Sequence, residues 1–152
     1  MKTKIIFLTI TAALLLLAGF QSSKTASRRY INLPRPSTAT TLPFSNGVIV
    51  GDRLFISGTI GLDPKTGKPP ADTEAEARLA LDNIQSVLKE ADMTMDDLVS
   101  VTVFCPDLSN YAKFNDVYRT YFKKEFPARA FIGSGPLLFG GRFEVQAIAL
   151  RR

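Results

Sequence analysis

Hydrophobic residues follow strand spacing in six short segments and helix spacing in two longer ones, and the order of these segments limits the possible folds most strongly. The strand-type segments run over residues 30–33, 48–50, 54–57, 99–105, 129–132 and 142–150. The first helix-type segment repeats Ala77, Leu81, Ile84 and Leu88, and the second begins near Ser109 and carries Tyr111, Phe114, Tyr118, Tyr121 and Phe122. The order β-β-β-α-β-α-β-β predicts an α+β fold in which a mixed β-sheet carries two helices on one face.

Local signals predict how these segments begin, end and connect. Gly51-Asp52 between two apolar runs predicts a tight hairpin. Thr73 followed by Glu76 predicts a capping box at the start of the first helix. The Gly-rich segment 133–141 predicts that the last two strands close the sheet as a hairpin. Because two helices cover only one face of the sheet, we expect the other face to be covered by self-association.

The first 20 residues have the composition of a secretory signal. Lys2 and Lys4 precede an apolar run from Ile5 to Phe20, which is shorter than the ~20 residues that a membrane-spanning helix requires. Phe20 stands where a bacterial lipoprotein has its lipidated Cys, so lipidation is not supported. The run lacks an Ala-x-Ala cleavage motif, and an uncleaved signal that anchors the chain in a membrane is therefore the alternative interpretation.

This interpretation divides the chain into a signal peptide with a short linker, residues 1–27, and one domain, residues 28–152. We therefore expect a periplasmic or secreted protein, with a membrane as partner only through an uncleaved signal. The net charge of +5 resides in the first 29 residues, which hold five bases and no acid. Nucleic-acid binding requires clustered positive charge on the domain itself, so we expect no nucleic-acid partner.

The chain contains no His and one Cys. A His-based metal site, a Ser-His-Asp triad and an imidazole general base are therefore excluded. Cys105 has no second Cys for an intramolecular disulfide, and we interpret it as a small core thiol. Any catalysis must rest on carboxylates, Arg, Lys, hydroxyls, amides or the backbone.

Two charged residues on the last two strands are candidates for chemistry. Arg129 follows Pro127 among small and apolar residues, and its planar guanidinium suits the recognition of a carboxylate. Glu144, flanked by Phe143 and Val145, suits a general acid or base whose pKa is set by burial. The alternative is structural: the two residues form an ion pair between neighbouring strands.

Polar residues within apolar segments are further candidates. Asn115 lies on the aromatic stripe of the second helix, between Tyr111 and Tyr118, where its amide either orients a neighbouring loop or faces a ligand. Ser57-Gly58 follows an apolar strand, and exposed backbone beside a hydroxyl is suited to a small polar ligand. A glycine that simply ends a strand is the alternative interpretation.

Five short motifs in this order and spacing resemble the signatures of the reactive-intermediate-deaminase (RidA, or YjgF-like) family. They are Pro43-Phe44-Ser45-Asn46-Gly47-Val48, Leu54-Phe55-Ile56-Ser57-Gly58, Leu62-Asp63-Pro64-Lys65-Thr66-Gly67, Phe126-Pro127-Ala128-Arg129 and Glu144-Val145-Gln146-Ala147-Ile148-Ala149. Each motif is weak alone, but five in this order are a strong signal, and the resemblance covers about residues 28–152. The resemblance implies a chorismate-mutase-like fold and a homotrimer with its sites in the clefts between subunits.

The resemblance also implies an activity of the 2-iminobutanoate/2-iminopropanoate deaminase type. Enamines such as 2-aminoacrylate and their 2-imino acid tautomers would be hydrolysed to 2-oxo acids and ammonia, with no cofactor or metal. Arg129 matches the family's carboxylate-binding Arg, and Glu144 matches the Glu that positions water. Ser57, Gly58 and Asn115 match further residues of the substrate pocket.

Two positions depart from the family's pattern. Phe44 stands where the best-known deaminases have Tyr, and Phe131 stands where many have Cys, so both change the substrate pocket. A more apolar substrate side chain is the expected consequence. The alternative functions are a trimer that binds a small carboxylate without turnover and an RNA-cleaving role. The presence of both Arg129 and Glu144 favours the deaminase over the first, and the near-neutral, His-free domain argues against the second.

Overall fold

A computed structural model describes residues 27–34, 42–123 and 125–152 of the chain. The predicted signal, residues 1–20, lies outside these residues. Within the described part of the chain, no helix has the length and apolar character needed to cross a membrane.

The described residues form six strands and two α-helices in the order that the sequence predicts. The strands are β1 (Arg28–Ile31), β2 (Gly47–Val50), β3 (Arg53–Ile60), β4 (Leu98–Cys105), β5 (Ala128–Gly133) and β6 (Glu144–Leu150), and the helices are α1 (Thr73–Glu90) and α2 (Tyr111–Arg119). The hairpin predicted at Gly51-Asp52 is confirmed, since Val50 pairs with Arg53 and Gly51 adopts a φ of 63°. The predicted aromatic stripe continues past α2, which ends before Tyr121.

The closing hairpin predicted for the last two strands is wrong. The strand order is β1-β2-β3-β6-β4-β5, so β6 lies between β3 and β4, antiparallel to both, while β5 pairs in parallel with β4 at the sheet edge. The inserted position of β6 agrees with its burial, since Val145, Ala147 and Ala149 are at most 5% exposed. One face of β6 packs on the core, and both of its edges are hydrogen-bonded, to β3 and to β4.

The core lies between one face of the sheet and the two helices, as predicted. Its sheet side consists of alternate residues of the central strands: Leu54 and Ile56 of β3, Val101 and Val103 of β4, and Val145, Ala147 and Ala149 of β6. Cys105 is also buried there, which agrees with its interpretation as a core thiol, and burial raises its pKa. The opposite face carries Phe55, which is 43% exposed, beside a groove of about 280 Å³ that includes Ser100, Thr102, Gln146 and Ile148.

The predicted capping box at Thr73 and Glu76 is also wrong. The N-cap of α1 is Asp72, whose carboxylate accepts a hydrogen bond from the backbone N–H of Ala75 at 3.0 Å. Glu76 is fully buried instead. One of its oxygens accepts from the backbone N–H groups of Arg142 (2.5 Å) and Phe143 (3.2 Å), and the other pairs with the Arg142 guanidinium at 2.5 Å. The first turn of α1 is thereby joined to the chain immediately before β6.

The Glu76–Arg142 pair gives a stability prediction. Arg142→Ala leaves a fully buried carboxylate without its guanidinium and removes the bonds from Arg142 to the carbonyls of Pro70 (2.9 Å) and Ala71 (3.0 Å). We expect the free energy of unfolding to fall by about 3 kcal/mol, the lower end for a broken buried pair because the Arg142 side chain is 32% exposed. Denaturant unfolding measures this change.

The matched control is Arg119→Ala, which removes an exposed ion pair with Asp116 whose side chains are 62% and 70% exposed. We expect this change to alter the free energy of unfolding by less than about 1 kcal/mol. Equal losses in the two variants would contradict the structural role of the buried pair.

Candidate active site

Arg129 lies on β5 with its side chain directed at α2. Its Nη2 donates a hydrogen bond to Oδ1 of Asn115 at 2.7 Å. Its guanidinium carbon lies 4.5 Å from the ring centroid of Tyr118 and 5.8 to 5.9 Å from the rings of Tyr111, Phe114 and Phe131. These distances are in the range of cation–π attraction, so the aromatic rings hold the charge in place.

The structure gives Asn115 a contact that neither interpretation named, with Arg129. This residue is 8% exposed on the buried stripe of α2, and its side-chain oxygen holds Arg129 rather than a loop. The hydrogen bond occupies one donor on one terminal nitrogen of the guanidinium. No other hydrogen bond of the Arg129 side chain is present among the described residues, so its remaining N–H groups are unbonded there. A planar guanidinium binds a carboxylate through two parallel hydrogen bonds.

A depression of about 360 Å³ lies beside the guanidinium. Its lining residues are Tyr111, Asn115, Tyr118, Arg119, Phe126, Pro127 and Arg129. Three of the seven lining residues are aromatic, and Asn115 bonds to Arg129 within the pocket. Phe131 packs against Tyr111, with the two ring centroids 5.0 Å apart and the ring planes nearly perpendicular. This set of residues, which we call the Arg129 pocket, has the chemistry of a site for a small organic anion.

Glu144 lies at the start of β6 on the sheet face that the helices do not cover, because its neighbour Val145 points into the core. It packs against Gly58 of β3: a Cβ atom at Gly58 would overlap the Glu144 carboxylate. The β3–β6 register shifts between Ile56 and Thr59, so β3 continues beyond Ser57-Gly58 through a bulge rather than ending there. The bulge and the missing side chain make room for the carboxylate.

Ser57 fixes the loop before β2 onto this same region. Its hydroxyl donates to the carbonyl of Ser45 at 2.7 Å, and its backbone N–H donates to the carbonyl of Asn46 at 3.0 Å. Phe44 precedes Ser45 and is 49% exposed. Ser57, Gly58 and Glu144, together with the attached loop that carries Phe44, form what we call the Glu144 cluster.

The Arg129 pocket and the Glu144 cluster lie on opposite faces of the sheet. Arg129 contacts α2, whereas Glu144 points away from the helices. Strand β4 separates them, since Arg129 pairs with Val101 and Glu144 pairs with Phe104. The ion pair between neighbouring strands, the structural alternative for these two residues, is therefore wrong. Within one chain the predicted site residues form two groups rather than one.

Sequence reasoning did not place Tyr118, Phe126 and Pro127 in the Arg129 pocket, which all three line. The available signal was the aromatic stripe, because Tyr118 follows Asn115 by about one helical turn and must share its direction. Burial raises the pKa of Tyr118 to about 12, against the opposing charge of Arg129. The phenol therefore remains protonated at neutral pH and is able to donate a hydrogen bond.

Residues 35–151 match the protein family described as Endoribonuclease L-PSP. The 2-iminobutanoate/2-iminopropanoate deaminase of Escherichia coli K12 is 38% identical over 113 residues, which cover 72% of this chain and 88% of that protein. The goat (Capra hircus) protein of the same name is 38% identical and covers 82% of this chain and 90% of its own length. The crystal structure of E. coli TdcF with bound serine superimposes with a TM-score of 0.73 at 31% identity, over 82% of this chain and all of that one.

Proposed function

The chain belongs to the RidA (YjgF-like) family, described as Endoribonuclease L-PSP, and we propose that it hydrolyses reactive enamine and imine acids to 2-oxo acids and ammonia. Relatives that bear the deaminase name at 38% identity support the general activity. The observation that carries the proposal for this chain is Arg129, which Asn115 holds at 2.7 Å beside an open depression, with the rest of its fork unbonded among the described residues. A small 2-imino acid presents the carboxylate that such a fork binds.

The reaction needs few protein groups. In a 2-imino acid the carbon bonded to nitrogen is already electrophilic, so water adds to it, the nitrogen gains protons, and ammonia leaves as the 2-oxo group forms. Arg129 binds the substrate carboxylate and sets the direction of the imine carbon. Glu144 accepts a hydrogen bond from the attacking water and takes up its proton. Hydrolysis of this kind involves no electron transfer, and the chemistry requires only the substrate, water and proton transfer.

The separation of Arg129 from Glu144 favours a site shared between subunits. The two side chains leave opposite faces of one sheet, so a small substrate on Arg129 cannot contact Glu144 of the same chain. A symmetric assembly that brings the helix-side edge of one chain to the uncovered face of the next would join the Arg129 pocket to a Glu144 cluster. Contacts that join one surface of each chain to a different surface of the next form a closed ring when the rotation between chains closes. We propose a ring of three identical chains, a homotrimer.

The direct test is to add purified protein to freshly generated 2-aminoacrylate and to measure ammonia and 2-oxo acid. Light scattering at micromolar concentration should give three times the mass of the chain. Release of product no faster than in buffer would contradict the deaminase, and binding of 2-oxo acids without turnover would favour the carboxylate-binding alternative. A monomeric mass would contradict the shared site.

We also propose that the protein is exported, and this proposal rests on the composition of residues 1–20. In a bacterial host, the full-length chain should be recovered from the periplasm or medium in a form that lacks Met1. A variant without residues 1–20 should stay in the cytoplasm, because it has lost the apolar segment. Cell fractionation followed by N-terminal sequencing measures both. Full-length protein found in the cytosol with Met1 intact would contradict export.

A further inference from the structure

Tyr118 carries a buried hydroxyl that has no hydrogen-bond partner among the described residues. The residue is 4% exposed, so water does not replace the missing partner at the surface. Tyr121, three residues later, shows the usual arrangement: its hydroxyl bonds to a carboxylate oxygen of Asp82 at 2.7 Å and to the carbonyl of Arg78 at 3.1 Å. Because buried polar groups in folded proteins are almost always bonded, the hydroxyl of Tyr118 requires an explanation.

The position of Tyr118 indicates what the missing partner is. Its ring lies closer to the Arg129 guanidinium than the other three aromatic rings around it, at 4.5 Å, and it forms part of the wall of the Arg129 pocket. Asn115, the other polar side chain that contacts Arg129, already uses its oxygen in the bond at 2.7 Å. The unpartnered donor therefore belongs to a residue that contacts the Arg129 guanidinium through its ring and lines the pocket in which an anion on Arg129 would be bound.

Access to the hydroxyl requires a small movement, because it is closed to solvent in the unliganded chain. Phe126 stacks on Tyr118 at a centroid distance of 6.2 Å and also lines the Arg129 pocket. With 56% of its surface exposed, this ring has room to shift when a ligand enters. The pKa of about 12 means that the hydroxyl reaches the ligand with its proton in place.

We propose that Tyr118 is a substrate-binding residue whose hydroxyl donates a hydrogen bond to the carboxylate of the molecule held by Arg129. The proposal rests on the proposed function, in which that molecule is a 2-imino acid. An ionised carboxylate has about four acceptor positions, of which a bidentate Arg uses two, so Tyr118 adds a third bond without displacing the first two.

The test is Tyr118→Phe, which removes the hydroxyl and keeps the ring that contacts Arg129. The dissociation constant for 2-oxobutanoate, measured by titration calorimetry, should rise about tenfold to a hundredfold, the range for a hydrogen bond to a charged group. KM for the corresponding imine should rise similarly with little change in kcat, because the bond is present before and during the reaction. The melting temperature should stay the same or rise, since an unbonded buried hydroxyl contributes no stability.

Tyr121→Phe is the matched control, with the opposite expected result. It removes a hydroxyl that has two partners, so the melting temperature should fall while the affinity for 2-oxobutanoate stays unchanged. If Tyr118→Phe also lowers the melting temperature and leaves the affinity unchanged, a buried water or another chain satisfies the hydroxyl and the inference is wrong. Absence of 2-oxobutanoate binding by the unaltered protein would overturn it as well. Tight binding that depends on Tyr118 without imine hydrolysis would instead contradict the deaminase.

Discussion

Replacement of Arg129 by Ala should lower kcat/KM for imine hydrolysis by at least about a hundredfold. The substitution removes both the charge and the fork to which we assign the substrate carboxylate, and hydrogen bonds to charged groups contribute roughly 1.5 to 3 kcal/mol each. Two lost bonds account for a hundredfold effect even at the lower value. Arg129→Lys keeps the charge without the planar fork, so it should recover part of the activity. The measurement is the rate of 2-oxo acid release, normalised to folded protein.

The stability of the same variants separates catalysis from structure. Arg129 contacts four aromatic rings and Asn115, so Arg129→Ala is also expected to lower the melting temperature. Arg78→Ala removes an exposed guanidinium from α1 and should change neither rate nor stability appreciably. Normal hydrolysis by a folded Arg129→Ala protein would show that the residue has only a structural role. Retention of 2-oxo acid binding by that variant would be equally inconsistent with the proposed carboxylate site.

The elements of this fold could be predicted from sequence because they depend on local spacing. Alternation from Val99 to Cys105 defines a strand without any knowledge of its neighbours, and the same holds for the helical repeat from Ala77 to Leu88. The insertion of β6 between β3 and β4 could not be predicted in this way. It depends on contacts between residues about ninety positions apart in the chain, such as Ile56 and Ala147, which no local pattern reveals.

The errors at the start of α1 have a similar cause. Thr73 and Glu76 have the spacing of a capping box, and Asp72 is an equally good cap one residue earlier. A capping box at Thr73 would require the Glu76 carboxylate at the helix end, so the choice of cap depends on the position of that carboxylate. The Glu76 carboxylate is buried instead, where it pairs with Arg142, a residue 66 positions later in the chain. A local signal was therefore overridden by a distant ion pair.

The candidate residues were found in sequence, but their division between two faces was not. Strand parity places Glu144 opposite to Val145, so its outward direction follows from the pattern alone. The alternation of residues does not show which face of the sheet Arg129 is on. Ala128 and Ala130 lie on one face of β5, and Arg129 and Phe131 lie on the other, and either pair of neighbours could belong to the core. The contacts with Asn115 and with the aromatic rings of α2 assign Arg129 to the helix side.

Mixed trimers of two inactive variants should regain activity if the site is shared between subunits. Arg129→Ala destroys the Arg129 pocket of its own chain and leaves the Glu144 cluster intact, whereas Glu144→Gln does the reverse. In any ring of three that contains both variants, one contact joins an intact Arg129 to an intact Glu144. Heterotrimers obtained by co-expression with two different tags and purified on both should therefore have about a third of the activity of the unaltered trimer.

The control replaces the Glu144→Gln partner by the double variant Arg129→Ala/Glu144→Gln. Trimers of the double variant with Arg129→Ala contain no intact Arg129, so they should stay as inactive as Arg129→Ala alone. A site built within one chain predicts no recovery in either mixture, since every chain then lacks one of its two groups. Activity at about a third in the first mixture and at background in the second is expected only when the Arg129 pocket of one chain works with the Glu144 cluster of its neighbour.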